Sequence, residues 1–126
     1  MKIARLLKPT HVGFADESHY NIGRYRGLGL VSLEVKNLRR LEVDLRSLLD
    51  QSNVNELKWK NIDGAKERLA AKKLLRSAVR HAKRGTLRAD ILIWDIEDPR
   101  HKIRGRDDLA NLERTYYKLF KNVMIE

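Results

Sequence analysis

The stretch Ala89-Asp90-Ile91-Leu92-Ile93-Trp94-Asp95-Ile96 decides the fold. From Ile91 to Trp94 both alternating sets of side chains are apolar. A strand with that pattern belongs in the interior of a sheet covered on two sides. Gly85 precedes it and Asp98-Pro99 follows, so turn chemistry bounds the run at both ends. Residues 87–96 are therefore expected to form a central strand that delivers one carboxylate, Asp95, at its end.

The period changes on either side. Downstream, a basic loop over residues 99–106 leads into a helix from about Asp107, with Leu109, Leu112, Tyr116, Leu119, Phe120 and Val123 as its apolar stripe. Upstream, residues 65–84 read as a helix with Leu69, Leu75, Ala78, Val79 and Ala82 available for one face, and Gly85 stops it. A further helix is expected over 37–50, where Leu38, Leu41, Leu45 and Leu48 recur at helical spacing and Asn37 can cap the start. Between these helices, Glu56-Leu57-Lys58-Trp59-Lys60 reads as a short extended or irregular piece. Residues 25–35 carry an apolar centre, Leu28 to Leu33, expected as another strand covered on both faces. Val12, Phe14 and Asp16 alternate in a first strand, and a polar loop joins the two strands as a hairpin. The order hairpin, helix, helix, strand, helix indicates an α/β sheet with helical cover.

A chain of 126 residues is expected to be one domain or a large piece of one, with no internal repeat and no low-complexity tract. Without cysteine, it has neither disulfides nor thiolate metal ligands, which fits a cytoplasmic location. No apolar run reaches the roughly 20 residues of a membrane span. The first eight residues lack the apolar core of a secretory signal. Lys and Arg total 27 against 17 Asp and Glu, a net charge of +10. An excess of this size concentrates polyanions around the protein, and nucleic acid is the first candidate partner, ahead of an anionic membrane surface.

Asp16 and Asp95 both end apolar strands. If those strands lie parallel and adjacent, both carboxylates emerge at the same sheet edge, where open α/β sheets hold their ligands. Two carboxylates that close repel each other unless a cation lies between them, and hard oxygen ligands suit Mg²⁺ or Mn²⁺. The structural alternative is a pair of turn aspartates. Arg100, Lys102, Arg104 and Arg106 form a mobile basic loop beside Asp95, fit either to grip phosphates or simply to be solvated. Trp59 and Trp94 could each stack on a base, although Trp94 is better placed in a core. The four histidines show no metal-ligand spacing.

The run Phe14-Ala15-Asp16-Glu17-Ser18, the apolar Gly27-Leu28-Gly29-Leu30-Val31, the segment Glu56-Leu57-Lys58-Trp59, then Ile91-Leu92-Ile93-Trp94-Asp95, with Asn111 and Tyr116-Tyr117 in the last helix, resembles the domain of unknown function 3800 family. The resemblance spans nearly the whole chain from residue 12. It implies a ribonuclease H-like mixed sheet, of which residues 1–126 form the N-terminal, incomplete part. It also implies Asp16, Glu56 and Asp95 as ligands of Mg²⁺ or Mn²⁺, with Lys58 contacting phosphate. Two departures are evident. His19 stands where the family usually has glycine after the Asp-Glu-Ser run, and the chain ends one helix after Asp95, where the family generally continues and supplies a further acidic residue.

Two functions follow as expectations. One is a metal-dependent nuclease, in which metal-bound water attacks a phosphodiester held by Lys58 and the loop arginines. The other is a non-catalytic nucleic-acid-binding or assembly module derived from that fold, completed by a second copy or by a partner chain.

Overall fold

The computed structural model describes residues 9–125; the N-terminal segment read above for a secretory signal lies outside them. The elements, in chain order, are β1 (His11–Ser18), β2 (Tyr25–Glu34), α1 (Val35–Gln51), α2 (Ala65–Lys83), β3 (Arg88–Asp95) and α3 (Asp108–Phe120). A single 3-10 turn, Trp59–Asn61, precedes α2, and a π-helical turn, Lys121–Ile125, follows α3. The residues gather into two compact units, one around residues 13–32 and 89 onward, the other around 33–88 with the start of β1.

The first unit is a three-stranded antiparallel sheet with α3 on one face. Its strand order is β1-β2-β3, so the centre of the sheet is β2. The expectation that residues 87–96 occupy the centre is corrected here: β3 is an edge strand. Its second apolar set is uncovered, with Ile91 77% and Ile93 65% exposed. The run from Leu28 to Leu33 holds the central place instead. Leu28 and Leu30 are completely buried, and with Trp94, Leu112 and Leu119 they form the core of this unit. Tyr20, Ile96, Tyr116, Phe120 and Val123 pack around that cluster, Tyr116 and Phe120 with their rings stacked 6.1 Å apart. The predicted stripe of α3 is thus the buried one, except that Leu109 is exposed. Asp107 caps α3, accepting a hydrogen bond from the Ala110 amide at 2.8 Å.

Gly27 and Gly29 lie on the opposite face of β2. A Cβ built on Gly27 would meet Ser18 Cβ at 3.8 Å and Ile93 Cγ1 at 4.0 Å, which puts Ser18, Gly27 and Ile93 in one cross-strand row. Phe14, Tyr25, Ile91 and Ile93 stand exposed on this second face. It has no helix among the described residues of its unit. In the turn between β1 and β2, His19 adopts a left-handed backbone, φ 47°. Glycine takes that conformation without steric penalty, and histidine does not.

The second unit is the α1–α2 helical pair. Helix α1 begins at Val35, two residues before the predicted start, with Glu34 as a cap that makes no side-chain bond. Asn37 lies inside the first turn and does not cap it, because β2 runs into α1 without a loop. Both helices end in Schellman motifs. In α1 the Val54 amide donates to the Leu49 carbonyl at 3.0 Å, with Asn53 left-handed at φ 52°. In α2 the Thr86 amide donates to the His81 carbonyl at 3.0 Å, with Gly85 left-handed at φ 72°. The face that α2 buries carries small side chains, Ala70 and Ser77. Leu69, Leu75 and Val79, predicted to face the core, are at least half exposed instead. Small side chains let two helix backbones approach closely, and the larger aliphatic ones are left to solvent.

Candidate nucleic-acid interface

The register of the sheet separates the two aspartates. The Ile96 amide donates to the Arg24 carbonyl at 3.0 Å, so Asp95 stands opposite Tyr25. Asp16 stands opposite Gly29, whose added Cβ would lie 3.9 Å from the Asp16 carbonyl oxygen. Four residues along the strands and two strand spacings across leave the two backbone positions about 16 Å apart. The expectation of neighbouring carboxylates rested on β1 and β3 being adjacent; β2 lies between them, and the register offsets them further. Two short aspartates cannot bridge that separation to share one ion. Glu56 and Lys58 belong to the helical unit, where Lys58 Nζ lies 3.4 Å from Glu56 Oε1. Among the described residues, no group of three or more His, Cys, Asp or Glu side chains is arranged to hold a metal ion.

Asp95 has another occupation. Arg24 donates to both of its oxygens, at 3.0 and 2.8 Å, and the Glu97 amide donates to Oδ1 at 2.9 Å. These bonds hold the Asp95 carboxyl below the usual carboxylate range, the Arg24 guanidinium being the larger cause. Arg24 also reaches Glu97 at 3.1 Å and lies 5.1 Å from the centre of the Tyr25 ring. Next to it, the buried Arg26 donates to the carbonyls of Tyr20, at 2.6 Å, and Gly23, at 3.1 Å, and pairs with Asp108. Neither arginine was singled out from sequence, and only their position at the start of β2 could have flagged them. Glu17, neighbour of Asp16, points to the α3 face and accepts a 2.7 Å hydrogen bond from Tyr116 Oη.

The loop after β3, expected as a basic segment beside Asp95, is built from turns. Its backbone closes through consecutive turns, with bonds from Asp98 to Asp95, His101 to Asp98, Lys102 to Pro99 and Arg106 to Ile103. Arg100 is folded onto Asp98, whose carboxyl it holds well below the ordinary range. Lys102 and Arg104 are exposed, and Arg106 is half-buried.

The strongest concentration of unpaired cations is on α2. Lys66, Arg68, Lys72, Lys73, Arg76, Arg80 and Lys83 occupy this helix against one acid, Glu67. Lys66 lies 3.9 Å from Glu67, while Arg68, Lys72, Lys73, Arg76, Arg80 and Lys83 have no ion-pair partner among the described residues. Arg68, Lys72, Arg76 and Lys83 fall on the side away from Ala70 and Ser77, among exposed Leu69, Leu75 and Val79, while Arg80 and the half-buried Lys73 lie nearer the groove beside α1. Beside this face a groove between α1 and α2 is lined by Asp44, Ser47, Arg76, Arg80 and Arg84. His81 sits in it, 3.4 Å from Asp44 and 2.9 Å from the Thr86 hydroxyl. The helical period of this face was legible in sequence. Which side faced solvent was not.

Over 120 residues the chain is 45% identical to two proteins of Methanothermobacter thermautotrophicus, uncharacterized protein ORF2 and uncharacterized protein ORF2′. The match takes in 89% of this chain and 42% of each relative, so the chain spans less than half the length of the curated relatives it matches. No protein-family model matches it, and no solved structure does. No helix among the described residues is long and apolar enough to cross a membrane.

Proposed function

We propose that the chain is a non-catalytic nucleic-acid-binding module whose principal contact surface is the exposed face of α2. The observation that carries the proposal is the row of unpaired cations on that face. Their spacing along one helix suits successive backbone phosphates, and lysine and arginine released from intramolecular pairing are free to displace condensed counterions. The intervening leucine and valine side chains add apolar contact area. The turn-ordered loop with Lys102 and Arg104 is a smaller basic surface in the sheet unit.

The resemblance to the domain of unknown function 3800 family fits this reading as a lineage. The left-handed His19 occupies a backbone conformation suited to that family's usual glycine. The Mg²⁺- or Mn²⁺-dependent nuclease reading ranks second. It needs Asp16, Glu56 and Asp95 around the same ions, and Asp95 is taken by Arg24 while Asp16 lies far from it on the sheet.

Binding of a fluorescent oligonucleotide across a salt titration tests the proposal. Wild type should bind with an affinity that falls steeply with salt. Neutralising Lys72, Arg76, Arg80 and Lys83 to Gln should flatten the log–log slope by about 3, if all four meet phosphates. An unchanged slope in that variant would overturn the proposal. Cleavage of the oligonucleotide that requires Mg²⁺ and disappears in Asp16→Asn would instead establish the nuclease reading.

A further inference from the structure

We infer that Trp59 is a base-stacking platform, and that the nucleic acid this chain takes is single-stranded. The inference rests on the nucleic-acid reading above and narrows it.

Trp59 is 91% exposed, whereas the chain's other tryptophan, Trp94, is 5% exposed in the core. An indole is the largest apolar surface a side chain carries, and leaving it in water forgoes a correspondingly large burial term. The backbone that presents it is held in place. Asn61 donates to the Lys58 carbonyl at 2.9 Å and Ile62 to the Trp59 carbonyl at 3.2 Å, forming the 3-10 turn. Val54 is buried, and Leu57 and Ile62 are half-buried on either side. The aromatic ring is thus projected from an anchored turn.

Its flanks are cationic. Lys58 and Lys60 are its two neighbours in the chain; Lys58 is partly neutralised by Glu56, and Lys60 has no ion-pair partner among the described residues. Four residues after the turn, α2 begins and carries its basic face away from this point. An exposed aromatic ring with lysines next to it in the chain, shortly before a helix rich in cations, suits single strands: cations follow the backbone while bases stack on the ring. In a duplex the base faces are stacked on one another and are closed to an indole. Stacking accepts any base, so little sequence preference accompanies it.

The test measures binding of the intact chain to a labelled single strand and to a duplex of the same length, for wild type, Trp59→Ala and Trp59→Phe. Trp59→Ala should weaken single-strand binding roughly ten-fold, leave duplex binding nearly unchanged and keep the salt slope, since no phosphate contact is lost. Trp59→Phe should restore most of the affinity. Tryptophan emission should be quenched by the single strand in wild type and not in Trp59→Phe, in which only the buried Trp94 emits. Equal single-strand affinity in wild type and Trp59→Ala, or equal losses on single strand and duplex, would overturn the inference while leaving the basic-face reading standing. Wild type that binds neither form would overturn both.

Discussion

Arg24 closes over Asp95 with two parallel hydrogen bonds, Nε to Oδ1 at 3.0 Å and Nη2 to Oδ2 at 2.8 Å. This fork ties the residue before β2 to the last residue of β3 and makes Asp95 a fastening of the sheet edge. Bidentate geometry adds orientation as well as attraction, so the pair fixes where both the β1–β2 turn and the loop after β3 leave the sheet.

The fastening should be sensitive to acid. Asp95 is held below its ordinary pKa, so its contribution is present above the unfolded carboxylate value of about 4 and is lost as the pH falls below it. Asp98, held down by Arg100, acts in the same direction. Asp95→Asn should lower the urea midpoint slightly at neutral pH, and the difference from wild type should shrink on acidification. A difference that grows with acid would contradict the assignment.

Tyr116 gives the opposite limb. Its hydrogen bond to Glu17 is the main cause that pushes its pKa up to about 12. Its contribution is complete below the unfolded value of about 10 and is lost as the pH rises from there through about 12. Tyr116→Phe should therefore be less stable than wild type at neutral pH, and the two should converge during alkaline unfolding followed by circular dichroism.

Arg26 is a buried cation whose partners are two backbone carbonyls and Asp108. Arg26→Ala should cost about 2 kcal/mol or more, because the Tyr20 and Gly23 carbonyls lose a charged donor. Arg26→Lys should recover only part of this, since an ammonium cannot reproduce the planar fork. Chemical denaturation of the three proteins measures the order; Arg26→Ala as stable as wild type would refute it.

His19 carries backbone strain at the turn of the hairpin. His19→Gly should raise stability by up to about 1 kcal/mol, the gain from relieving a left-handed L-residue being partly offset by the greater freedom of glycine in the unfolded chain. His19→Val, β-branched at the same position, should destabilise. Thermal melts of the pair test the sign.

Much of this protein can be read along the chain. The hairpin, the three long helices, the β3 strand and the stop at Gly85 all follow from local pattern, because period and turn chemistry act over a few residues. The net charge of +10 likewise needs no structure. Burial of Trp94 and the stripe of α3 were legible for the same reason.

What local pattern left open was partnership. Only strand order and register, in which the β2–β3 pairing joins residues as far apart as Arg24 and Ile96, put β2 at the centre, bared Ile91 and Ile93, and parted Asp16 from Asp95. Only tertiary packing chose Ala70 and Ser77 as the buried positions of α2 and left Leu75, Val79 and Arg76 exposed. An aspartate at a strand end looks the same in sequence whether it awaits a cation or meets an arginine, and Arg24 became its partner because folding brought the start of β2 beside the end of β3.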